Sequence, residues 1–275
     1  MTQTMDRAVI DDATITDFRE HGVTIVRGLF TPEQVGLIER GIERNLADPS
    51  PMFKVASRPD DPGKFVEDFC NWQRIEEFRR VAFESRAADV AAALMGSHEV
   101  RLYHDHMLVK EPGTKADTPW HQDQPYYDVE GANNCSMWAP VDTVAPESTL
   151  EFLAGSHLDG WRMPRTFMDA QAKWFPEGSL TEIPDVESDR ASFDIRGWAM
   201  EPGDAVFFHM LTLHHSYGVP GTRRRRAFSL RFLGDDMTYA PREWTCSPDF
   251  SGRDLGLTAG DPMRGELFPV LRTRD

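Results

Sequence analysis

The sequence is poor in features that would tie the protein to membranes, nucleic acids or a disulfide framework. Its three cysteines, Cys70, Cys135 and Cys246, are odd in number and far apart, which favours neither paired disulfides nor a zinc ribbon. No apolar run approaches the ~20 residues of a membrane-spanning helix. Acidic residues outnumber basic ones by 45 to 30, and the net charge of −15 argues against binding to nucleic acid or anionic membranes.

The remaining composition is that of an ordinary globular protein. With 275 residues, of which 40% are hydrophobic, the chain is long enough to bury an ample core. Residues 1–14 are acidic and lack the apolar centre of a secretory signal peptide. The sequence contains no internal repeat or low-complexity linker. We therefore predict one domain over residues 1–275 in the cytoplasm, whose oligomeric state the sequence leaves open.

Helical patterns dominate the first third of the chain. Thr31, Pro32 and Gln34 form an N-cap, a first-turn proline and a capping box, which mark the start of a helix. A second helical region spans residues 74–95 and ends at Gly96. These segments predict an N-terminal helical layer.

From Glu99 the apolar period changes to two, which is typical of strands. Short extended runs then alternate with turn residues at 99–109, 135–141, 149–153, 193–200, 205–209 and 225–233. Helices followed by many short strands predict a mainly β protein with flanking helices, an antiparallel barrel or jelly roll whose core covers about residues 99–235. Residues 161–190 form a polar insertion, which we interpret as a candidate lid.

The extended segment at residues 119–127 places a histidine and a carboxylate two positions apart. On such a segment His121 and Asp123 point the same way, so that both side chains can reach one metal ion. A second imidazole from elsewhere would complete a two-histidine, one-carboxylate triad, which leaves three positions open on iron. We predict that His214 takes this role.

The His-x-Asp pattern is weak evidence by itself, since it occurs twice. The other copy, His157 and Asp159, lies among glycines, where a turn is expected instead of a strand. His104 and His106 share a strand face and resemble half a zinc site, but no further ligand follows them. Two interpretations stay open for this pair: residues that line the barrel interior near the metal, and hydrogen-bonded core histidines.

Four consecutive arginines at residues 223–226 stand out in an acidic chain. We interpret Arg223 and Arg224 as a solvated patch. Arg225 instead opens a strand on which it shares a face with Ala227, Ser229 and Arg231. A buried guanidinium needs a partner, and its fork matches the carboxylate of a dicarboxylate cosubstrate.

Together these motifs resemble the phytanoyl-CoA dioxygenase family over about residues 15–235. The resemblance is carried by residues 119–123, the strand of Trp138, residues 151–157, the turn at 201–204 with Phe208 and His209, and His214-x-Ser216 followed by Arg225, Arg226 and Ala227. It implies a double-stranded β-helix, the cupin-type jelly roll, and an oxygenase that uses Fe(II), 2-oxoglutarate and O2.

The resemblance also implies roles for individual residues. The iron ligands of the family fall on His121, Asp123 and His214, and its cosubstrate arginine falls on Arg225. Positions near the cosubstrate or substrate fall on Ser216, Trp138, Thr118, His104, His106 and Tyr127. The chain departs from the family at His215, where glycine is usual, and at Ser148 and Thr149, where an Asn-Gly pair is common.

The expected reaction is hydroxylation of a substrate C–H bond with release of succinate and CO2. The predicted pocket face is polar and aromatic, and consists of His104, His106, Gln122, Gln124, Tyr127 and Arg231. Such a face favours a small polar or zwitterionic metabolite over a long acyl chain.

Two other classes of function stay open. A zinc or manganese cupin hydrolase or isomerase would leave Arg225 unexplained, and a non-catalytic protein on the same fold would bind metal or 2-oxoglutarate without turnover.

Overall fold

The computed structural model describes residues 10–166, 175–219 and 222–273. Residues 1–9 of the acidic N-terminal segment and residues 167–174 of the predicted insertion lie outside this part of the chain. No helix in the described residues combines the length and the apolar character that a membrane crossing requires.

The helical layer consists of α1 (Asp12–His21), α2 (Pro32–Ala47), α3 (Glu76–Glu84) and α4 (Ala87–Met95). The predicted capping box is confirmed, because the side chains of Thr31 and Gln34 each accept a hydrogen bond from the other residue's backbone amide. α1 and α4 end at Gly22 and Gly96, whose φ angles of 74° and 69° lie in the left-handed region that glycine adopts without steric cost.

The described residues contain fourteen strands: β1 (Val23–Val26), β2 (Lys54–Val55), β3 (Phe65–Phe69), β4 (Glu99–Lys110), β5 (Thr118–His121), β6 (Val129–Glu130), β7 (Asn134–Pro140), β8 (Leu150–Leu153), β9 (Ile195–Arg196), β10 (Ala205–Phe208), β11 (His214–Ser216), β12 (Arg225–Leu233), β13 (Thr238–Tyr239) and β14 (Val270–Thr273). The larger sheet has the order β1-β10-β7-β12-β4-β3-β2, with β14 also paired to β4. The smaller sheet has the order β5-β11-β8-β9, and β6 pairs with β13.

Strand β12 shows how the larger sheet divides core from cavity. One face packs into the hydrophobic core beneath the helices through Phe228, Leu230 and Phe232. The other face contributes Arg225, Ala227 and Arg231 to the wall of a cavity of about 830 Å³, which residues of the smaller sheet also line. The predicted alternation of this strand is confirmed. Two antiparallel sheets that enclose a cavity, with helices packed outside, form the predicted jelly roll.

Several strands differ from the sequence prediction. β3 pairs with β4 but was not predicted from the sequence, because its buried Asp68 breaks the apolar alternation. Hydrogen bonds from Asn45 and Ser50 stabilise that carboxylate. The predicted strand at residues 193–200 was too long. Beyond β9 the chain leaves the sheet, and Met200 pairs with Val144 instead.

Candidate functional site

Three side chains of the cavity wall converge on one point. β5 and β11 are paired so that His121 lies opposite His214, with ring centroids 4.1 Å apart. Asp123 follows the end of β5, where the carbonyl of Met210 accepts a hydrogen bond from its amide. Its Oδ1 lies 3.7 Å from Nε2 of His121 and 3.8 Å from Nε2 of His214. These three ligand atoms are close enough together to hold one metal ion.

Backbone hydrogen bonds determine which nitrogen of each ring faces this point. Nδ1 of His121 lies 2.8 Å from the carbonyl of Pro119, and Nδ1 of His214 lies 3.0 Å from the carbonyl of Thr212. A carbonyl only accepts, so each Nδ1 carries the proton and each Nε2 presents a lone pair. Burial lowers the pKa of His121, and burial together with His121 lowers the pKa of His214 to about 3. Both rings are therefore neutral, as metal ligands must be.

The carboxylate of Asp123 is oriented through its second oxygen. Ser136 Oγ donates to Oδ2 at 2.8 Å, and Nε of Arg231 lies 3.0 Å from the same oxygen. Burial raises the pKa of Asp123, but Arg231 and the two histidines outweigh burial and hold the pKa well below its ordinary value. Two neutral imidazoles and an ionised carboxylate form the donor set of facial-triad iron sites, so the residues present fit such a metal.

Arg225 is buried in the wall of the same cavity. Its Nη2 donates to Ser216 Oγ at 3.2 Å, its Nη1 donates to the carbonyl of Ser148, and the guanidinium lies 5.8 Å from the ring centre of Trp138. Burial lowers the pKa of Arg225 to about 10, and no carboxylate of the described residues forms an ion pair with it. Within the described part of the chain this guanidinium is therefore a cation without a counter-ion.

Lys110 is a second buried cation at this place and was not predicted from the sequence. It pairs with Arg225 in the register of β4 and β12. Its Nζ lies 3.1 Å from Ser216 Oγ and donates to the carbonyls of Ala116 and Tyr217 at 2.9 and 3.1 Å. Burial, followed by Arg225, lowers the pKa of Lys110 well below its ordinary value. The signal in the sequence was a lysine at the end of an apolar strand.

The wall between these cations and the triad includes further predicted residues. Thr118 pairs with Ser216 across β5 and β11. Thr118, Trp138 and His106 all line the cavity. Nε2 of His106 lies 3.3 Å from Oε2 of Glu67, a cavity residue that was not predicted. Burial raises the pKa of Glu67, but His106 reverses that effect, and the pKa lies below its ordinary value. The cavity therefore holds an ionised acid besides Asp123.

The residues predicted to contact substrate occupy different places. Tyr127 and Arg231 line the cavity, where Nε of Arg231 donates to the hydroxyl of Tyr127 at 3.0 Å. His104 is fully buried beside Tyr127, with ring centroids 5.3 Å apart. Among the described residues neither ring nitrogen of His104 has a hydrogen-bond partner.

Gln122 and Gln124 lie outside the set of residues that line the cavity. Gln122 donates to the carbonyls of Gly160 and Leu211 and accepts from the amide of Arg162. Gln124 donates to the carbonyl of Gly131 and accepts from Asn134. Their side-chain amides hold together the loops on either side of Asp123.

The rival His-x-Asp pair lies in a turn, as expected. His157 and Asp159 belong to the 3-10 helix Ser156–Asp159, and Asp159 is 2.7 Å from Arg162. In the arginine run, Arg224 forms an ion pair with Glu43.

Comparison with known proteins places this fold and site in a family. The model of the phytanoyl-CoA dioxygenase family matches residues 18–227. The chain therefore belongs to the phytanoyl-CoA dioxygenase family, and the predicted resemblance is confirmed. Membership makes the protein a 2-oxoglutarate-dependent oxygenase.

Two curated relatives are similar in sequence. A probable phytanoyl-CoA dioxygenase of Caenorhabditis elegans is 26% identical over 197 residues, which cover 68% of this chain and 55% of the nematode protein. The ectoine dioxygenase of Stutzerimonas stutzeri (strain A1501) is 26% identical over 253 residues, which cover 86% of this chain and 82% of the relative. The chain thus spans about half the length of the first relative and most of the second.

Solved structures share the architecture. The alpha ketoglutarate dependent carbocyclase SnoK from nogalamycin biosynthesis superposes with a TM-score of 0.75 at 22% identity, over 95% of this chain and 96% of SnoK. EctD from S. alaskensis with 2-oxoglutarate and 5-hydroxyectoine gives a TM-score of 0.68 at 21% identity, over 97% and 92% of the two chains. At these identities the likeness establishes the jelly-roll fold alone.

Proposed function

We propose that the protein is an Fe(II)- and 2-oxoglutarate-dependent dioxygenase that hydroxylates a C–H bond of a small polar metabolite and releases succinate and CO2. One observation carries the proposal. A single cavity combines a His121, Asp123 and His214 cluster with a buried Arg225 that has no acidic partner among the described residues. A metal site next to a buried cation is what a chelating dicarboxylate requires.

The triad residues would hold the iron through Nε2 of His121, Nε2 of His214 and Oδ1 of Asp123. Arg231 and Ser136 already occupy Oδ2 of the aspartate, so they would keep its Oδ1 directed at the metal. When bound, Fe(II) supplies the activation of O2 that couples decarboxylation of 2-oxoglutarate to oxidation of the substrate. The structure of SnoN in complex with Fe3+ and alpha ketoglutarate, at 22% identity, supports this choice of cofactors.

Arg225, Lys110 and Ser216 would bind the distal carboxylate of 2-oxoglutarate. The guanidinium presents a fork, the ammonium a point charge, and both are desolvated. Ser216 Oγ accepts from both cations, so its own hydroxyl proton is left to donate to the carboxylate. Trp138 would pack against the guanidinium, and Thr118 would complete the wall.

The remaining wall supports a polar substrate. Glu67 is ionised and contacts His106, and Tyr126 and Tyr127 add aromatic surface with hydroxyl groups. An acyl chain beside these groups would remove hydration from the carboxylate of Glu67 and offer it no further donor, which is costly. A small metabolite with its own hydrogen-bonding groups would satisfy them. We place the substrate contacts at Glu67, His106 and Tyr127.

The test is succinate release from 2-oxoglutarate by protein loaded with Fe(II), Zn(II) or Mn(II), over a panel of polar metabolites and fatty acyl-CoAs. We expect the Fe(II)-loaded protein, but not the Zn(II)- or Mn(II)-loaded protein, to release succinate. We expect polar metabolites to stimulate this release. Turnover of a panel compound by the zinc protein without 2-oxoglutarate would favour a cupin hydrolase or isomerase. Such an enzyme would leave the buried Arg225 without an anionic partner among the described residues.

A further inference from the structure

The strands that carry the two histidines of the triad share a cluster of polar side chains next to these residues. His215 follows His214 on β11, and its Nε2 lies 2.8 Å from Oε2 of Glu151 on the adjacent strand β8. Arg190 binds the same carboxylate with its Nη2, which lies 2.8 Å from Oε1 and 2.9 Å from Oε2.

Glu187 extends the cluster to the strand of the other histidine. Its carboxylate accepts from Trp120 Nε1, from the hydroxyl of Tyr217 and from Arg190 Nη1, each at 2.9 Å. Trp120 directly precedes His121, and its ring lies 4.5 Å from the ring of His215. Glu187 and Arg190 both belong to the 3-10 helix Glu187–Ser192, at the end of the predicted insertion.

This cluster is not a second metal site. Ligand atoms of Glu151, Glu187 and His215 lie close enough together to hold an ion. However, Arg190 donates to both carboxylates, and Trp120 and Tyr217 occupy further lone pairs of Glu187. A cation placed there would displace these donors and be repelled by the guanidinium. The six side chains instead form a closed network.

We propose that Arg190 is a positioning residue for the two imidazoles of the triad. Arg190 holds the carboxylates of Glu151 and Glu187 in place. Glu151 in turn contacts His215, which is next to His214 in the sequence. Glu187 accepts a hydrogen bond from Trp120, which is next to His121. Because His121 and His214 lie opposite each other in the β5–β11 register, a shift of either strand changes the separation of the two Nε2 atoms. The inference rests on the proposed metal site and adds a role for residues that do not touch it.

The test compares Arg190→Ala with the matched control Arg196→Ala. Arg196 lies on β9 of the smaller sheet, which also contains β5 and β11. It forms ion pairs with Asp17 and Asp194, neither of which is next to a residue of the triad. Co(II) serves as the probe, because its visible absorption reports coordination geometry. Loss of outer contacts that orient ligands typically weakens metal binding by 10–100-fold. We expect about a tenfold increase in the Co(II) Kd of Arg190→Ala, at the low end of that range, with a changed absorption spectrum, while Arg196→Ala keeps the wild-type Kd and spectrum.

Two milder variants decide the question if Arg190→Ala does not fold. Trp120→Phe keeps an aromatic ring but removes the N–H that Glu187 accepts, and Glu187→Gln keeps the shape but removes the charge. Both should shift the Co(II) Kd and spectrum in the same direction, by less. A lowered Tm with unchanged Kd and spectrum would assign the network to stability alone and overturn the inference. Failure of the wild-type protein to bind Co(II) would instead contradict the proposed function.

Discussion

Ser216 Oγ lies 3.1 Å from Nζ of Lys110 and 3.2 Å from Nη2 of Arg225. One hydroxyl thus joins two buried cations that come from adjacent, paired strands of the larger sheet. Two desolvated positive charges side by side destabilise a protein unless an anion neutralises them. Their retention at a cavity wall is accounted for if an anionic ligand binds there, and this consideration underlies the predictions that follow.

Arg225→Ala should raise the 2-oxoglutarate concentration needed for half-maximal binding more than a hundredfold. Removal of one partner of a buried charge pair costs about 3–5 kcal/mol, and the guanidinium is buried here. Calorimetric titration of the metal-loaded protein measures the effect. Arg224→Ala is the control, since Arg224 is partly exposed and pairs with Glu43. Equal losses in the two variants would refute the assignment of Arg225.

Lys110→Met should weaken 2-oxoglutarate binding by about tenfold or more, because loss of a hydrogen bond to a charged group typically costs about 1.5–3 kcal/mol. The metal Kd should stay unchanged. Lys64→Met is the control, since Lys64 donates to the carbonyls of Arg58 and Pro59 and does not line the cavity. If Lys110→Met bound 2-oxoglutarate as tightly as wild type, Arg225 alone would account for the anion site.

Substitution of a triad residue by alanine should abolish stoichiometric Fe(II) binding, whereas His157→Ala should retain it. The side chains of His121, Asp123 and His214 converge on one point. His157 instead belongs to a 3-10 helix and contacts the carbonyl of Arg19. Metal analysis after anaerobic reconstitution and desalting gives the occupancy. Full occupancy in His121→Ala together with loss in His157→Ala would reverse the assignment.

The metal-free protein should lose stability as the pH falls from 7 towards 4, and His214→Gln should reduce this loss. The folded-state pKa of His214 is lowered to about 3, below its ordinary 6.5. Between these two pKa values His214 is protonated in the unfolded chain but not in the folded chain. The free energy of unfolding therefore decreases as the pH decreases. Asp105, whose pKa is raised to about 6, acts in the opposite direction, and only the difference between variant and wild type isolates the histidine. Urea denaturation across this range measures it. An identical pH slope in both proteins would contradict the buried neutral imidazole.

Glu67→Gln should reduce succinate release stimulated by the best polar metabolite while leaving 2-oxoglutarate binding unchanged. Glu67 lines the cavity beside His106, and no hydrogen bond or ion pair among the described residues joins it to Arg225 or Ser216. Steady-state kinetics in both substrates separate the two effects. A raised requirement for 2-oxoglutarate in this variant would place the carboxylate next to the cosubstrate instead.

Local patterns predicted the parts of the site that lie within single strands. The alternation in β12 was enough to place Arg225 in the cavity, and the family motif placed the triad residues. The positions of Gln122 and Gln124 did not follow from alternation, because β5 ends at His121 and Gln124–Tyr126 form a 3-10 helix. The period of two therefore does not continue past His121.

Contacts between distant segments could not be read from the sequence. The antiparallel pairing of β4 and β12 brings Lys110 next to Arg225. β3 brings Glu67 to the cavity, but the adjacent charged residues Glu67 and Asp68 do not match the apolar alternation that predicts a strand. The same holds for Arg190, which reaches Glu151 across 39 positions. Such pairs depend on strand register and loop path, which a single sequence specifies only through the whole fold.

The central claim is that one cavity binds a metal through His121, Asp123 and His214 and a dicarboxylate through Arg225. The most direct measurement is an anaerobic titration of the wild-type protein with 2-oxoglutarate in the presence of one equivalent of Fe(II), followed by visible absorption. We predict a charge-transfer band that saturates at one equivalent of 2-oxoglutarate and requires far more of it in Arg225→Ala. Tight Fe(II) binding without any band, or a band that Arg225→Ala leaves unchanged, would contradict the claim.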